Sequence, residues 1–214
     1  MEFLKSAIDL FLHLDEYLQI IITDYGAWTY GILFVVIFVE TGLVIMPFLP
    51  GDSLLFAAGT FAALGSFNVW GLIALLGVAA VLGDAVNYSI GHYLGERAYS
   101  IKWIKKEYLD QTHAFFEKHG GKAIFLARFV PIVRTFAPFV AGIGRMSYAY
   151  FATYNIVGGL SWVLIFTLLG YFFGNIPFVK KNFEFVIVAI ILISVVPMFY
   201  EWFNARRNKS TPAA

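Results

Sequence analysis

Between Lys122 and Arg145 the sequence KAIFLARFVPIVRTFAPFVAGIGR sets Arg128 and Arg134 into an apolar stretch that Pro131 and Pro138 interrupt. A helix that crosses a bilayer core needs about 20 apolar residues, and proline breaks the backbone hydrogen-bond ladder, so this stretch cannot cross as one straight rod. A charged side chain at membrane depth costs a few kcal/mol on insertion scales and is accepted where it faces protein or water. Broken backbone is tolerated there only when buried in protein or beside a cavity. Arginine's planar fork donates two parallel hydrogen bonds to a phosphate or carboxylate. The segment therefore predicts an anion site built into a membrane.

The rest of the chain fits that environment. It is 60% hydrophobic and 14% charged with a mean hydropathy of +0.75, against about 25% charged residues in soluble domains. These values specify an integral membrane protein, and 214 residues leave room for a single membrane domain, 1–214. A net charge of +1 gives no polyelectrolyte character that would point to nucleic acid, and none is expected as a partner. The absence of cysteine removes disulfides, thiolate catalysis and cysteine-held metals. Asp9, His13, Asp15 and Glu16 interrupt the first apolar run, which lacks the shape of a signal peptide and is expected to stay.

Leu4, Ile8, Phe11, Leu14, Leu18 and Ile21 recur at steps of three or four, predicting an interfacial amphipathic helix over 1–24. Residues 26–93 read as a re-entrant hairpin followed by a crossing. Pro47, Pro50 and Gly51 break the first apolar run, and the arm that follows, at about 1.5 Å per residue, reaches only roughly 20 Å. The segment 94–121 is polar and rich in lysine, hence cytoplasmic by the positive-inside rule. Residues 122–175 repeat the pattern of hairpin plus crossing, with Pro131 and Pro138 as breaks. A last crossing is expected at 183–203 and a cytoplasmic tail at 204–214, where Arg206, Arg207 and Lys209 lie. With one crossing per unit, the second unit enters from the opposite face. The expected architecture is thus all-α: an inverted repeat of re-entrant helical hairpin plus transmembrane helix, with an N-terminal amphipathic helix and a C-terminal transmembrane helix.

Four charges fall in the two broken elements: Glu40 and Asp52 in the first, Arg128 and Arg134 in the second. Asp52 follows Pro-Gly and is also placed to cap a half-helix. Glu40 and an arginine are also placed to form a buried structural pair, which is weak ground for function. If all four face one cavity, the arginines can bind phosphate while the carboxylates bind and release protons or sodium. Asp84 and Asn87, one helix turn apart on the first crossing, are secondary candidates with a packing role as the alternative. Arg145 ends its apolar run and is expected to snorkel. The histidines have no metal-ligand spacing, the aromatic residues cluster at span ends as interfacial anchors, and the glycines suit close helix packing. No metal, cofactor, P-loop or serine-hydrolase pattern is implied, and an enzyme is not expected.

With these residues assembled, ETGLVIMPFLPGDSLLFAAG at 40–59, GDAVNYSIGHYLG at 83–95 and HGGKAIFLARFVPIVRTFAPFVAGIGRMSY at 119–148 resemble the DedA family. Its eukaryotic relatives carry the SNARE-associated or VTT domain. The resemblance spans nearly the whole chain and rests on a spaced RFxPxxRxxxPxxAG pattern with an upstream FLPGD. It implies two facing re-entrant elements and a role in envelope homeostasis, with members linked to proton-motive force, drug tolerance and lipid movement. Some bacterial relatives are implicated in recycling undecaprenyl phosphate. The positions on which the family's function depends match Glu40, Asp52, Arg128 and Arg134. The expectation is an ion-coupled translocase of the bacterial inner membrane carrying undecaprenyl phosphate or a related phospholipid. A proton-driven exporter of small cations or drugs and a structural assembly factor stand as alternatives. A homo-oligomer is left open.

Overall fold

The computed structural model describes residues 14–43, 51–95, 119–174 and 176–181, with 110, 112–114, 116, 185, 186 and 189 as isolated positions. Every regular element among the described residues is helical. Two early helices, α1 (Leu14–Tyr25) and α2 (Trp28–Gly42), lead to the short α3 (Gly51–Ala63) and the long α4 (Val69–Leu94). A 3-10 turn at Gly120–Lys122 opens the second half, followed by α5 (Ala123–Ala127), α6 (Pro131–Ile143), α7 (Tyr148–Phe173) and α8 (Pro177–Lys181). Pro47, Pro50, most of the central polar segment and nearly all of the expected last crossing lie outside the described residues.

Local chemistry sets the boundaries. The side chain of Asn68 accepts from the Gly71 amide at 2.8 Å and caps α4, while the Tyr30 hydroxyl receives the Asn68 N–H at 2.8 Å. Val130 is extended ahead of Pro131, which occupies the first turn of α6 where its fixed φ suits a helix and its missing N–H costs nothing. Pro131 thus marks the break in this stretch. Pro138, expected as a second break, instead lies inside α6, which continues to Ile143. Having no N–H, it leaves the Arg134 carbonyl without its usual donor one turn later.

Each half pairs a 13-residue helix with a 26-residue one: α3 with α4, and α6 with α7. At roughly 1.5 Å per residue the long helices reach about 39 Å, enough to cross a core about 30 Å thick, and the short ones about 20 Å, which is not. The turns that join them share one hydrogen-bond pattern. After α3, Ser66 N–H donates to Phe61 and Gly65 N–H to Ala62; after α6, Met146 N–H donates to Ala141 and Arg145 N–H to Gly142, all at 3.0 Å. This paired closure demands a left-handed residue, which Gly65 supplies at φ 90° and Arg145 at φ 52°. A side chain in that conformation costs about 1–2 kcal/mol, part of which glycine's greater unfolded freedom offsets. Arg145 is exposed, so Arg145→Gly is expected to raise stability by about 0.5 kcal/mol, read as a higher Tm in detergent.

Each short helix packs mainly on the long helix of the other half: α3 on α7, and α6 on α4. Glycine permits both contacts. Gly170 of α7 meets the Phe56 carbonyl of α3, and Gly142 of α6 meets the Tyr88 carbonyl of α4, closely enough that a Cβ would collide with backbone. Leu33, Ile37, Leu55, Leu72, Leu76, Trp162 and Val163 form one buried cluster; Tyr88, Ile124, Ala127, Val133, Ala137 and Phe151 form the other. The outside is apolar too. Val78, Leu82, Val86 and Ile90 make an exposed stripe at four-residue steps on α4, and Ile156, Leu160 and Leu164 do so on α7. Glu40, Asp84, Asn87, Arg128 and Asn155 are meanwhile buried. Apolar surface outward and ionised groups inward suit lipid, where water would penalise such a patch. Trp28, Trp70, Tyr148 and Tyr150 are exposed at helix ends, the position expected of interfacial anchors.

Candidate functional site

The break before α6 and the start of α3 bring the charges together. Arg134, one turn into α6, donates from Nη1 to Asp52 Oδ1 at 2.8 Å and from Nη2 to Glu40 Oε1 at 2.6 Å. Glu40 comes from the last turn of α2 and Asp52 from the first turn of α3, so one guanidinium ties three elements. Glu40 also receives the Gly51 N–H at 3.3 Å, satisfying an orphan donor at the start of α3. A Cβ on Gly51 would run into that carboxylate. Asp52, which its sequence context suits to a cap, turns its Oδ1 to Arg134 and to the indole Nε1–H of Trp162, the latter at 2.8 Å.

Arg128 belongs to a second pair. It follows α5 in the turn before Pro131, is 7% exposed, and donates from Nη2 to Asp84 of α4 and to Asn155 Oδ1 of α7, the latter at 2.6 Å. Asn155 is oriented by its own amide, which donates to the Val81 carbonyl at 3.0 Å. The guanidinium lies against Gly158 and Gly159, whose Cβ positions would stand 3.3 Å from Arg128 Nε and 3.1 Å from Nη2. The two pairs share Trp162: the guanidinium carbons of Arg134 and Arg128 sit 5.6 and 5.9 Å from its ring centroid, within cation–π range.

Glu40, Thr41, Asp84, Arg128, Arg134, Thr135 and Trp162 line one cavity of about 20 Å³, room for about one water. Glu40 Oε2, Asn87 Oδ1 and Arg128 Nε are buried without a hydrogen-bond partner among the described residues. Three carboxylates, Glu40, Asp52 and Asp84, face two guanidiniums, leaving one negative charge in excess when all are ionised. Such a cluster can exchange protons or a small cation, and its arginines can hold an anion if the carboxylates yield.

Of the residues singled out in the sequence, Glu40, Asp52, Arg128 and Arg134 converge, and Asp84, a secondary candidate, stands with them as the partner of Arg128. Asn87 does not reach an ionised group; its amide donates to the Thr41 and Thr135 carbonyls at 3.2 and 2.9 Å, stitching α4 to α2 and α6. Asn155 and Trp162 were missed. Their signal lay in the spacing of Asn155, Gly158, Gly159 and Trp162, one helical face on which two glycines leave space between two hydrogen-bonding side chains. Trp162→Phe keeps the ring and deletes the bond to Asp52. It is expected to cost about 1.5–3 kcal/mol of stability, and Trp162→Leu about 1 kcal/mol more by also removing the cation–π contacts. Thermal unfolding of both variants checks the order.

An all-helical membrane protein with ion pairs buried at the breaks of its short helices is the class that fold and site define. Residues 49–172 match the VTT domain, a span that includes Asp52, Asp84, Arg128, Arg134, Asn155 and Trp162 and excludes Glu40. Protein DedA of Escherichia coli is 53% identical over the full length of both chains. An uncharacterised membrane protein of Mycobacterium leprae is 43% identical over 84% of this chain and 82% of its own. Inner membrane protein YqjA of Escherichia coli is 38% identical over 80% and 79% respectively. The chain belongs to the DedA family of VTT-domain membrane proteins. No solved structure matches it.

Proposed function

We propose that the protein is an ion-coupled lipid translocase of the bacterial inner membrane whose cargo is undecaprenyl phosphate or a related phospholipid, in support of envelope homeostasis. The single observation behind this is the convergence of Glu40, Asp84, Arg128 and Arg134, drawn from both halves, on one small polar cavity, with Asp52 joined to them through Arg134. Arginines supply phosphate ligands, carboxylates supply sites for protons or sodium, and the prenyl chain stays in lipid beside α4 and α7. The equal helix lengths, matching turns and exchanged packing of the halves support an inverted repeat of re-entrant hairpin plus crossing. Its broken elements meet at the cavity, the layout in which one repeat rocks against the other around a fixed site. The lysine and arginine distribution supports a cytoplasmic side for the central segment and the C-terminus, and the name of one relative, an inner membrane protein, supports an inner-membrane location. In this reading no covalent chemistry occurs.

The test is movement of labelled undecaprenyl phosphate between proteoliposome leaflets, with and without a pH gradient, for wild type and Arg134→Ala at equal reconstitution. Gradient-sensitive flux that the variant loses is the expected result. Wild-type flux no greater than that of empty liposomes, with folded protein, would sink the proposal. The excess of carboxylates over guanidiniums favours one other reading, a proton-driven exporter of small cations, which gradient-dependent dye flux in vesicles without carrier lipid would reveal.

A further inference from the structure

We infer that the site as folded is self-occupied: Glu40 and Asp52 fill the fork of Arg134 that a phosphate would use, and an anion enters only as a proton neutralises the expelled Glu40. This regulation rests on the phosphate-carrier reading above. Both terminal nitrogens of Arg134 already donate to carboxylate oxygens, the arrangement in which the same fork grips two oxygens of a phosphate. The cavity of about 20 Å³ holds about one water and no phosphate group, so entry requires displacement. The ionised cluster already carries an excess carboxylate, so a further anion is repelled until one carboxylate is neutralised.

The exchange falls on Arg134. Arg128 is 7% exposed, held by Asp84 and Asn155 and pressed against two glycines, whereas the Arg134 side chain is 19% exposed. Of its two carboxylates Glu40 leaves more easily. Asp52 keeps the Trp162 indole as a second donor, while Glu40 has only a long bond from the Gly51 amide and its Oε2 has no partner among the described residues. Departure of Glu40 also frees the Gly51 N–H at the start of the 13-residue α3, a second donor for the incoming anion. The charged groups around Glu40 are Asp52 on α3, Asp84 on α4, Arg128 after α5 and Arg134 on α6; α7 contributes the uncharged Trp162. Once parted from Arg134, a buried carboxylate among Asp52 and Asp84 is stable only when protonated. Phosphate binding and proton uptake are then one event, and the apparent affinity falls about tenfold for each pH unit as pH rises.

The experiment is calorimetric titration of the full-length protein in phosphatidylcholine nanodiscs with farnesyl phosphate, in buffers of different ionisation enthalpy. The range pH 7.5–9 lies above the probe's own second ionisation near 6. Wild type is expected to take up about one proton for each probe bound. Glu40→Gln should bind at least about tenfold tighter at pH 8.5, a change of about 1.4 kcal/mol, and take up none. Asp52→Asn, which keeps Glu40, should still take up a proton. Binding by wild type without proton uptake overturns the inference even if neither variant folds, and so does uptake that survives in Glu40→Gln. Those results leave the phosphate reading standing. Failure of all folded proteins to bind from pH 6.5 to 9 removes that reading and the inference with it.

Discussion

Arg134→Ala protein, reconstituted at the wild-type level, is expected to move no labelled carrier lipid and to lose about 3–5 kcal/mol of stability. The second figure follows from what the guanidinium leaves behind. Glu40 is 3% exposed and its Oε1 takes Arg134 at 2.6 Å; Asp52 loses one of the two donors on its Oδ1. Removing one member of a buried pair strands the other, and that desolvated charge, more than the lost attraction, sets the cost at about 3–5 kcal/mol. The loss of stability and the loss of transport therefore have different cures. Adding Glu40→Gln and Asp52→Asn to Arg134→Ala removes the stranded charges and should recover most of the thermal stability, while flux stays at zero because no phosphate ligand returns. Arg134→Lys is the complementary change. It keeps the charge near both carboxylates, so it should cost no more than about 2 kcal/mol, but a point charge cannot reproduce the two-pronged bond and flux should fall at least about tenfold. Wild-type flux from Arg134→Lys would refute the phosphate-ligand role of Arg134, and a triple variant no more stable than Arg134→Ala would show that the cost is not one of charge.

What the sequence disclosed divides along a physical line. Charges at membrane depth and prolines inside apolar runs are penalties visible without a fold, so Glu40, Asp52, Arg128 and Arg134 stood out individually. The two long helices were equally legible: both 26-residue helices fall where apolar runs of sufficient length lie. Pairing was not legible. Asp84 and Arg128 are 44 residues apart and Arg134 and Glu40 are 94 apart, so which carboxylate meets which arginine depends on how α4, α6 and α7 pack. Spacing alone made Asp84 and Asn87 look like one unit, yet the helix turns them to different partners, one to a guanidinium and one to backbone carbonyls. Pro138 misled for a related reason. A proline inside a helix costs about 3 kcal/mol in isolation, but α6 is held along α4 by the Gly142 contact, and that packing carries the helix through.

Glycine shows the same dependence on packing, and two substitutions of one residue type are expected to have opposite signs. Gly31 lies in α2 where, apart from its chain neighbours and the helix's own backbone, no described atom comes within 4 Å of a Cβ position, and it has no special backbone angle. Gly31→Ala should add about 0.5–1 kcal/mol, because alanine loses less backbone freedom than glycine on entering a helix. Gly170 sits in α7, so Gly170→Ala carries the same intrinsic gain. Its Cβ, however, would point into the Phe56 carbonyl of α3, and the Thr60 hydroxyl donates to the Gly170 carbonyl at 3.2 Å. Backbone cannot step aside as a flexible side chain can. The helices must separate, at a cost of about 1–3 kcal/mol for one methyl group, and more for Gly170→Val. Because α3 also carries Asp52 into the site, that separation draws a carboxylate away from Arg134 and Trp162. Gly170→Val should therefore lose flux as well as Tm, although it lies far along α7 from Trp162, whereas Gly31→Ala should gain Tm and keep flux. Equal behaviour of the two alanine variants in thermal unfolding would mean that α3 and α7 do not meet at Gly170, and that the exchanged packing of the two halves is wrong.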